Sequence, residues 1–361
     1  MRLLKNCKIL QKNFSEKSAT ILIRDSRAEL CDEAPSCTQV LDLKGALVIN
    51  GVCDIHIHGC SGYSFITENP EELTKLAESL RKQGTAYFLA TYVVLPPERM
   101  QRYLKILRET HIEGLIGAYI EGPFINPKKS GGMKEKYIYT WDKKRFKNLI
   151  EQFADTIKLV VVAPELEEAE YVIDVLRKNG IAIAFGHTEA DFEVVMKYAE
   201  SETISLFTHL YNAMGTFHHR KPGVVAAALL SNVPCEIIPQ RDHIHPAATK
   251  LAFKVKGKER MIPISDGTLL SGEGPKEAKF SGIVVRKRNG ACISEEGKLF
   301  GSAITLIEGL KYLVELGIYK NLKEAVIYNL KNTSKLLNKK LTFTPELPLI
   351  AVYEQDFEVL F

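Results

Sequence analysis

The segment from Gly51 to Gly59, "GVCDIHIHG", sets His56 and His58 one residue apart inside an apolar run. On an extended strand, residues i and i+2 share a face, so both imidazoles point the same way. Two imidazoles in a buried strand are costly unless something coordinates or neutralises them. Three further strand-like runs end on residues of matching chemistry: Glu121 in "YIEGP", His187 in "AFGHT" and His209 in "LFTHLYN". Gly122-Pro123 turns the chain away just after Glu121, leaving its carboxylate at a rim. Each of these residues alone reads as a hydrogen-bonded core or rim group. As a set, two imidazoles and a carboxylate make a divalent metal site with room for water, the ligand chemistry of a hydrolytic centre.

His56 and His58 then have two roles open to them. They complete a second metal position bridged by Glu121, or they line the site without metal. Asp266 closes "MIPISD", where a last strand should end. A carboxylate there can take a proton from an activated water and pass it to a leaving amine; it also suits the start of an Asp-Gly turn. Imidazole plus carboxylate accepts zinc, iron, cobalt or manganese, so one or two divalent ions per chain are expected and their identity stays open.

These residues need a scaffold that brings strand ends together. From Gly51 onward, apolar strand candidates alternate with amphipathic helices such as "PEELTKLAESLRKQG" and "LEEAEYVIDVLRKNG", each with a glycine just beyond its end. That alternation predicts parallel strands with crossover helices. Eight strands can be counted, ending at "RMIPISD", and the polar residues His56/His58, Glu121, His187, His209, His243 and Asp266 keep to their carboxyl ends. A (β/α)8 TIM-like barrel builds its site there, which favours it over an open doubly wound sheet. Residues 1–50 read as short strands and the tail "LPLIAVYEQDFEVLF" returns to strand character. The expected division is 1–50 plus 341–361 as a small β domain and 51–340 as the barrel, with a β-hairpin insertion near 279–299 turning at Asn289-Gly290 and Glu296-Gly297.

The bulk properties fit a globular enzyme. The chain has 361 residues, 45% apolar and 25% charged, with a net charge of only +4 and no long basic block, so nothing calls for a nucleic-acid partner. No apolar run approaches a membrane span and the start lacks a signal-peptide pattern, which predicts a soluble, cytoplasmic protein. The seven cysteines, at 7, 31, 37, 53, 60, 235 and 292, show no zinc-finger spacing and read as reduced thiols.

With "DIHIHG", "YIEGPFINP", "APE", "GHT", "THLYNAM" and "SDG" in hand, the chain resembles the N-acetylglucosamine-6-phosphate deacetylase family of metal-dependent amidohydrolases. The resemblance implies an α/β barrel with a small β-sandwich domain formed by both chain ends. It implies Glu121, His187 and His209 as metal ligands, Asp266 as general acid/base, and His56 and His58 at a second metal position. Asn212 and Ala213 would hold the sugar phosphate, His219 and Arg220 would reach it from the neighbouring subunit of a homodimer, and His243 would contact the sugar. The implied reaction releases acetate and glucosamine 6-phosphate.

The chain also departs from the family pattern. Met133 in "SGGM" stands where a histidine is usual, Gln240–His243 reads "QRDH" instead of "DGxH", and "SDG" replaces "TDA". Two other readings follow: a deacetylase for N-acetylgalactosamine 6-phosphate or another acylamino sugar phosphate, and a catalytically impaired sugar-phosphate-binding homologue. A cyclic-amide hydrolase is disfavoured, because Ala163-Pro164-Glu165 stands where such enzymes carry a modified lysine.

Overall fold

The computed structural model describes residues 1–25, 27–31, 39–344 and 348–360. Its centre is a parallel sheet of eight strands: β1 Val52–Ile57, β2 Thr85–Tyr92, β3 Leu115–Glu121, β4 Ile157–Val162, β5 Ala182–Phe185, β6 Leu206–Phe207, β7 Cys235–Ile237 and β8 Met261–Pro263. They are ordered in space as in sequence. Most of their residues are buried on both faces, as parallel strands covered by crossover helices must be. The regular ladder runs from β1 to β8 and stops. Three backbone bonds join its ends: Asp266 N–H to His56 O at 3.0 Å, and His58 and Gly59 N–H to Gly267 O at 2.8 and 3.1 Å. The expected eight-stranded barrel is therefore present, and its closing seam runs through three of the residues singled out above.

The helices form for the reasons their sequences suggest. Pro70–Lys82 starts on Asn69, whose side chain accepts from Glu71 N–H, an N-cap that satisfies one of the free amides of the first turn. Gly84 and Gly180 follow Pro70–Lys82 and Ala169–Lys178 with φ of 84° and 68°, conformations that glycine adopts without steric cost. The helix Leu322–Leu336 covers the seam from outside. Its buried Asn329 pairs with both backbone groups of Cys53 in β1, at 2.9 Å each. One turn on, Asn332 donates to Met261 O in β8 at 2.9 Å.

Both chain ends form the second unit. Arg2–Leu10, Glu16–Arg24, Arg27–Leu30, Gln39–Asp42 and Leu47–Ile49 join Ile350–Val352 and Phe357–Val359. The tail pairs antiparallel to Leu47–Ile49. A bulge between Leu4 and Cys7 lets the first strand pair with Gln39–Asp42 along one half and Leu47–Ile49 along the other. The resulting small β-sandwich has its own core, including Leu4, Cys7, Ile21, Val48, Leu349 and Ala351. The expected strand "TQVLDL" is described from Gln39 onward; Thr38, Cys37, and the tail residues 345–347 and 361 lie outside the described residues.

The region expected to form hairpins across 279–299 is a larger four-stranded antiparallel meander: Glu277–Phe280, Ile283–Arg288, Ala291–Ser294 and Leu299–Ser302. Its three turns fall at Ser281-Gly282, at Asn289-Gly290 and around Gly297, with positive φ at all five residues. The first strand escapes the sequence reading because "PKEAKF" is too short and polar to show a period.

Candidate active site

Glu121 is the last residue of β3, while His187, His209 and Asp266 stand two or three residues beyond β5, β6 and β8. These last three adopt φ of 49°, 26° and 49°. A left-handed backbone in a non-glycine residue costs on the order of 1–3 kcal/mol and persists only where its surroundings over-determine it. Here each such residue ends its strand by directing a side chain into the barrel mouth. His56 and His58 reach the same point from β1.

The geometry forms two groups. Glu121, His187 and His209 offer ligand atoms within 4.8 Å of one another, and so do His56, His58 and Asp266. All six residues are at most 8% exposed. Nε2 of His187 and of His209 lie 3.0 Å apart, and 3.1 and 3.2 Å from Glu121 Oε1. Nε2 of His58 is 3.1 Å from Asp266 Oδ1. His56 Nε2 stands 3.4 Å from Glu121 Oε1 and 3.6 Å from Asp266 Oδ1, with no hydrogen bond of its own.

Donor accounting fixes what these nitrogens carry. His187 Nδ1 donates to Lys129 O, His209 Nδ1 to Asn212 O and His58 Nδ1 to Thr91 O, at 2.6, 3.0 and 3.2 Å. A carbonyl can only accept, so each Nδ1 bears its hydrogen and each Nε2 of the neutral ring is a bare lone pair. Lone pairs of His187 and His209 then face each other and a carboxylate oxygen across about 3 Å. Without positive charge between them that arrangement is repulsive; around a divalent cation it is coordination. The clusters fit a divalent metal site.

The titration of these groups points the same way. Burial resists ionisation of Glu121, but the surrounding imidazoles of His56, His187 and His209 hold its carboxyl well below the usual range. Burial likewise opposes ionisation of Asp266, and the adjacent His58 and His56 imidazoles outweigh it, lowering the carboxyl. Burial would lower His56, yet with no cation in place Glu236 and Glu121 lift it well above an ordinary imidazole, holding a proton on Nε2 that a bound ion displaces. The site carries negative potential that draws a cation.

Above the cluster lies a cavity of about 170 Å³, space for a ligand of many heavy atoms by comparison with the ~10–15 Å³ one water needs. Asn212, Ala213 and His243 line it, as do Met133, Leu299 and Phe300. His243 Nδ1 donates to Gln240 Oε1 at 2.8 Å. That oxygen also accepts from the Asp242 and His243 backbone N–H groups, while Gln240 Nε2 donates to Asn289 O in the meander at 2.7 Å. Met133 packs beneath the loop, its sulfur accepting from Val94 N–H at 3.4 Å. His219 and Arg220 do not line this cavity. They sit on an exposed loop and bond to each other at 3.0 Å.

Several participants escaped the sequence reading. Glu236, fully buried in β7, accepts from His56 Nδ1 at 2.9 Å, Thr208 Oγ1 at 2.7 Å and His209 N–H at 3.1 Å. Its signal was available: a lone carboxylate amid "VPCEIIP". Asp54, in the opening segment itself, accepts from Ser265 and His56 backbone N–H groups. Glu165 ties the loops after β3 and β5 by bonding Asn126, Thr188 and Glu189.

No protein-family model matches the sequence. Against known proteins, the chain is 31% identical over 326 residues to the N-acetylglucosamine-6-phosphate deacetylase of Bacillus subtilis (strain 168), spanning 87% of this chain and 82% of that one. It is 27% identical over 288 residues to the N-acetylgalactosamine-6-phosphate deacetylase of Escherichia coli O157:H7, spanning 78% and 76%. The fold superposes on the crystal structure of N-acetylglucosamine-6-phosphate deacetylase from Pasteurella multocida with a TM-score of 0.86 and 27% identity, covering 99% of this chain and 96% of that one.

Proposed function

The chain belongs to the N-acetylglucosamine-6-phosphate deacetylase family, and from that premise we propose that it hydrolyses the acetamide of N-acetylglucosamine 6-phosphate to acetate and glucosamine 6-phosphate. The observation that carries this reading is the convergence of Glu121, His187 and His209 within about 3 Å, with Asp266 beside them at the floor of one cavity.

Glu121, His187 and His209 are the ligands of one divalent ion, and His56, His58 and Asp266 frame a second position. A cation held there supplies Lewis acidity toward water and the acyl carbonyl. Asp266, its carboxyl kept ionised by His58 and the surrounding imidazoles, takes the proton from water and returns it to the amine nitrogen as the amide bond breaks. His243 contacts the sugar from the cavity wall. Asn212 and the Ala213 backbone hold the phosphate end.

Arg220 and His219 complete the phosphate site of a second copy in a homodimer. Exposed Leu230, Leu251 and Val255, on the two helices that follow that loop, support a buried apolar interface there. No helix among the described residues is long and apolar enough to cross a membrane. Together with unpaired thiols at all six described cysteines, this supports a cytoplasmic setting. Residues 1–50 with 341–361 serve as the supporting unit.

A second reading, N-acetylgalactosamine 6-phosphate as substrate, draws on the Escherichia coli relative, since one hydroxyl contact separates the epimers. The test is acetate release from both sugar phosphates by the metal-loaded protein, with Asp266→Asn as control. Release from N-acetylglucosamine 6-phosphate, reduced roughly 10²–10⁴-fold in the variant, is expected. Faster turnover of the galactosamine epimer would favour the second reading, and no release above the variant would mark a binding protein.

A further inference from the structure

Of the four imidazoles in the cluster, three steady their Nδ1–H on neutral backbone carbonyls. His56 alone leans on a carboxyl group, that of Glu236. Cys235 points out of the barrel, bonding Ala228 O on the helix outside, so the alternation of side chains directs its neighbour Glu236 inward. The rest of that carboxyl's surroundings are donors. The Tyr119 hydroxyl donates to Thr208 Oγ1 at 2.7 Å, and Thr208 passes its own hydrogen to Glu236 Oε2 at 2.7 Å. The His209 amide, a donor only, reaches the same oxygen at 3.1 Å.

Oε2 therefore accepts from every side, and His56 Nδ1 must carry the hydrogen. Its Nε2 is the atom left for an ion, fully buried and without a hydrogen bond, aimed between Glu121 and Asp266. Tyr119 closes the other flank of the ring, 4.7 Å away between centroids. The imidazole cannot rotate without breaking this network.

We infer that Glu236 is a positioning residue that fixes His56 as a metal ligand and thereby determines whether the His56–His58–Asp266 position holds its ion. The inference rests on the reading of the cluster as a metal centre. A carboxylate partner also raises the donor strength of an imidazole relative to a carbonyl partner, so this position depends on Glu236 in a way that the Glu121–His187–His209 position does not.

The test uses the full chain, stripped by a chelator and titrated with Zn²⁺ against a competing chelator, with Co²⁺ absorption recorded for each equivalent. Wild type should take two ions. Glu236→Gln keeps the shape and removes the carboxylate; it should bind the first ion as wild type does and the second roughly 10–100-fold more weakly. Its second-equivalent Co²⁺ spectrum should change with no loss of the apoprotein's cooperative unfolding. If Glu236→Gln fails to fold, Glu236→Asp, which draws the carboxylate away from His56, should show the same selective weakening. Two wild-type-like affinities in the variant that folds would overturn the role of Glu236 while leaving the metal centre intact. A wild-type protein that takes only one ion would overturn the inference, and one that takes none would overturn the metal-centre reading itself.

Discussion

Gly132 lies against Phe300 so closely that a Cβ on it would stand 2.0 Å from Phe300 Cδ2. The contact joins the loop after β3 to the last strand of the meander, and both residues line the cavity. Phe300 meets Phe280 edge to face at 5.3 Å, and Phe280 in turn lies 5.8 Å from the His58 ring. The wall of the cavity thus bears on one of the candidate ligands.

Gly132→Ala should push Phe300 off its seat. Overpacking of this kind costs about 1–3 kcal/mol, and displacement of the cavity wall should lower kcat/KM by roughly 10–100-fold. Steady-state kinetics beside urea unfolding would check both. A variant with unchanged kcat/KM would mean that the wall is not part of the substrate site.

Asp54 gives a pH dependence that can be read without metal. Burial pushes its carboxyl up to about 7, only partly offset by hydrogen bonds from Ser265 and His56. Between its unfolded value near 3.9 and the folded value, the native state holds the proton more tightly than the unfolded chain does. Stability of the chelated protein should therefore fall as pH rises through this window, by up to about 1.4 kcal/mol per unit. Urea midpoints at pH 5, 6 and 7 should show wild type losing stability relative to Asp54→Asn. A constant gap between the two would contradict it.

Gln240→Leu should matter although the family pattern places an acidic residue there. The amide does what a carboxylate cannot: it accepts from His243 and donates to Asn289 O at once. Removing it breaks part-buried hydrogen bonds worth about 0.5–1.5 kcal/mol each. Kinetics should show a loss in kcat/KM on the order of tenfold, and limited proteolysis should show easier cleavage of the meander turn at Asn289-Gly290.

Arg220→Ala should raise KM for the sugar phosphate by roughly 10–100-fold, the worth of a charge-assisted hydrogen bond. Cleavage of unphosphorylated N-acetylglucosamine should not change. Equal losses on both substrates would remove Arg220 from phosphate binding. Sedimentation of wild type should show a dimer.

The barrel and the polar cluster at its mouth were legible because Glu121, His187, His209 and Asp266 each follow an apolar strand at its carboxyl end, a pattern that packing alone does not produce. Glu121, His187 and His209 stand out by this rule. Glu236 obeyed a different one: it sits within its strand, so its meaning depends on which face looks inward, and a run as short as "CEI" does not reveal that. Asn329 and Asn332 were hidden in an ordinary amphipathic helix, since nothing in their spacing says that they meet the backbone of β1 and β8. The meander was half visible through its turns. Phe300 was invisible, because its neighbour Gly132 lies 168 positions away in the chain.

The seam between β1 and β8 has a mechanical meaning. Asn329 and Asn332 clip its outer side, while His56 and His58 from one lip and Asp266 from the other meet on its inner side. An ion bound there would act as a rivet across the joint where the regular ladder stops, so cofactor loading and the rigidity of the whole scaffold should rise together, and amide exchange along the two lips should slow as the metal enters.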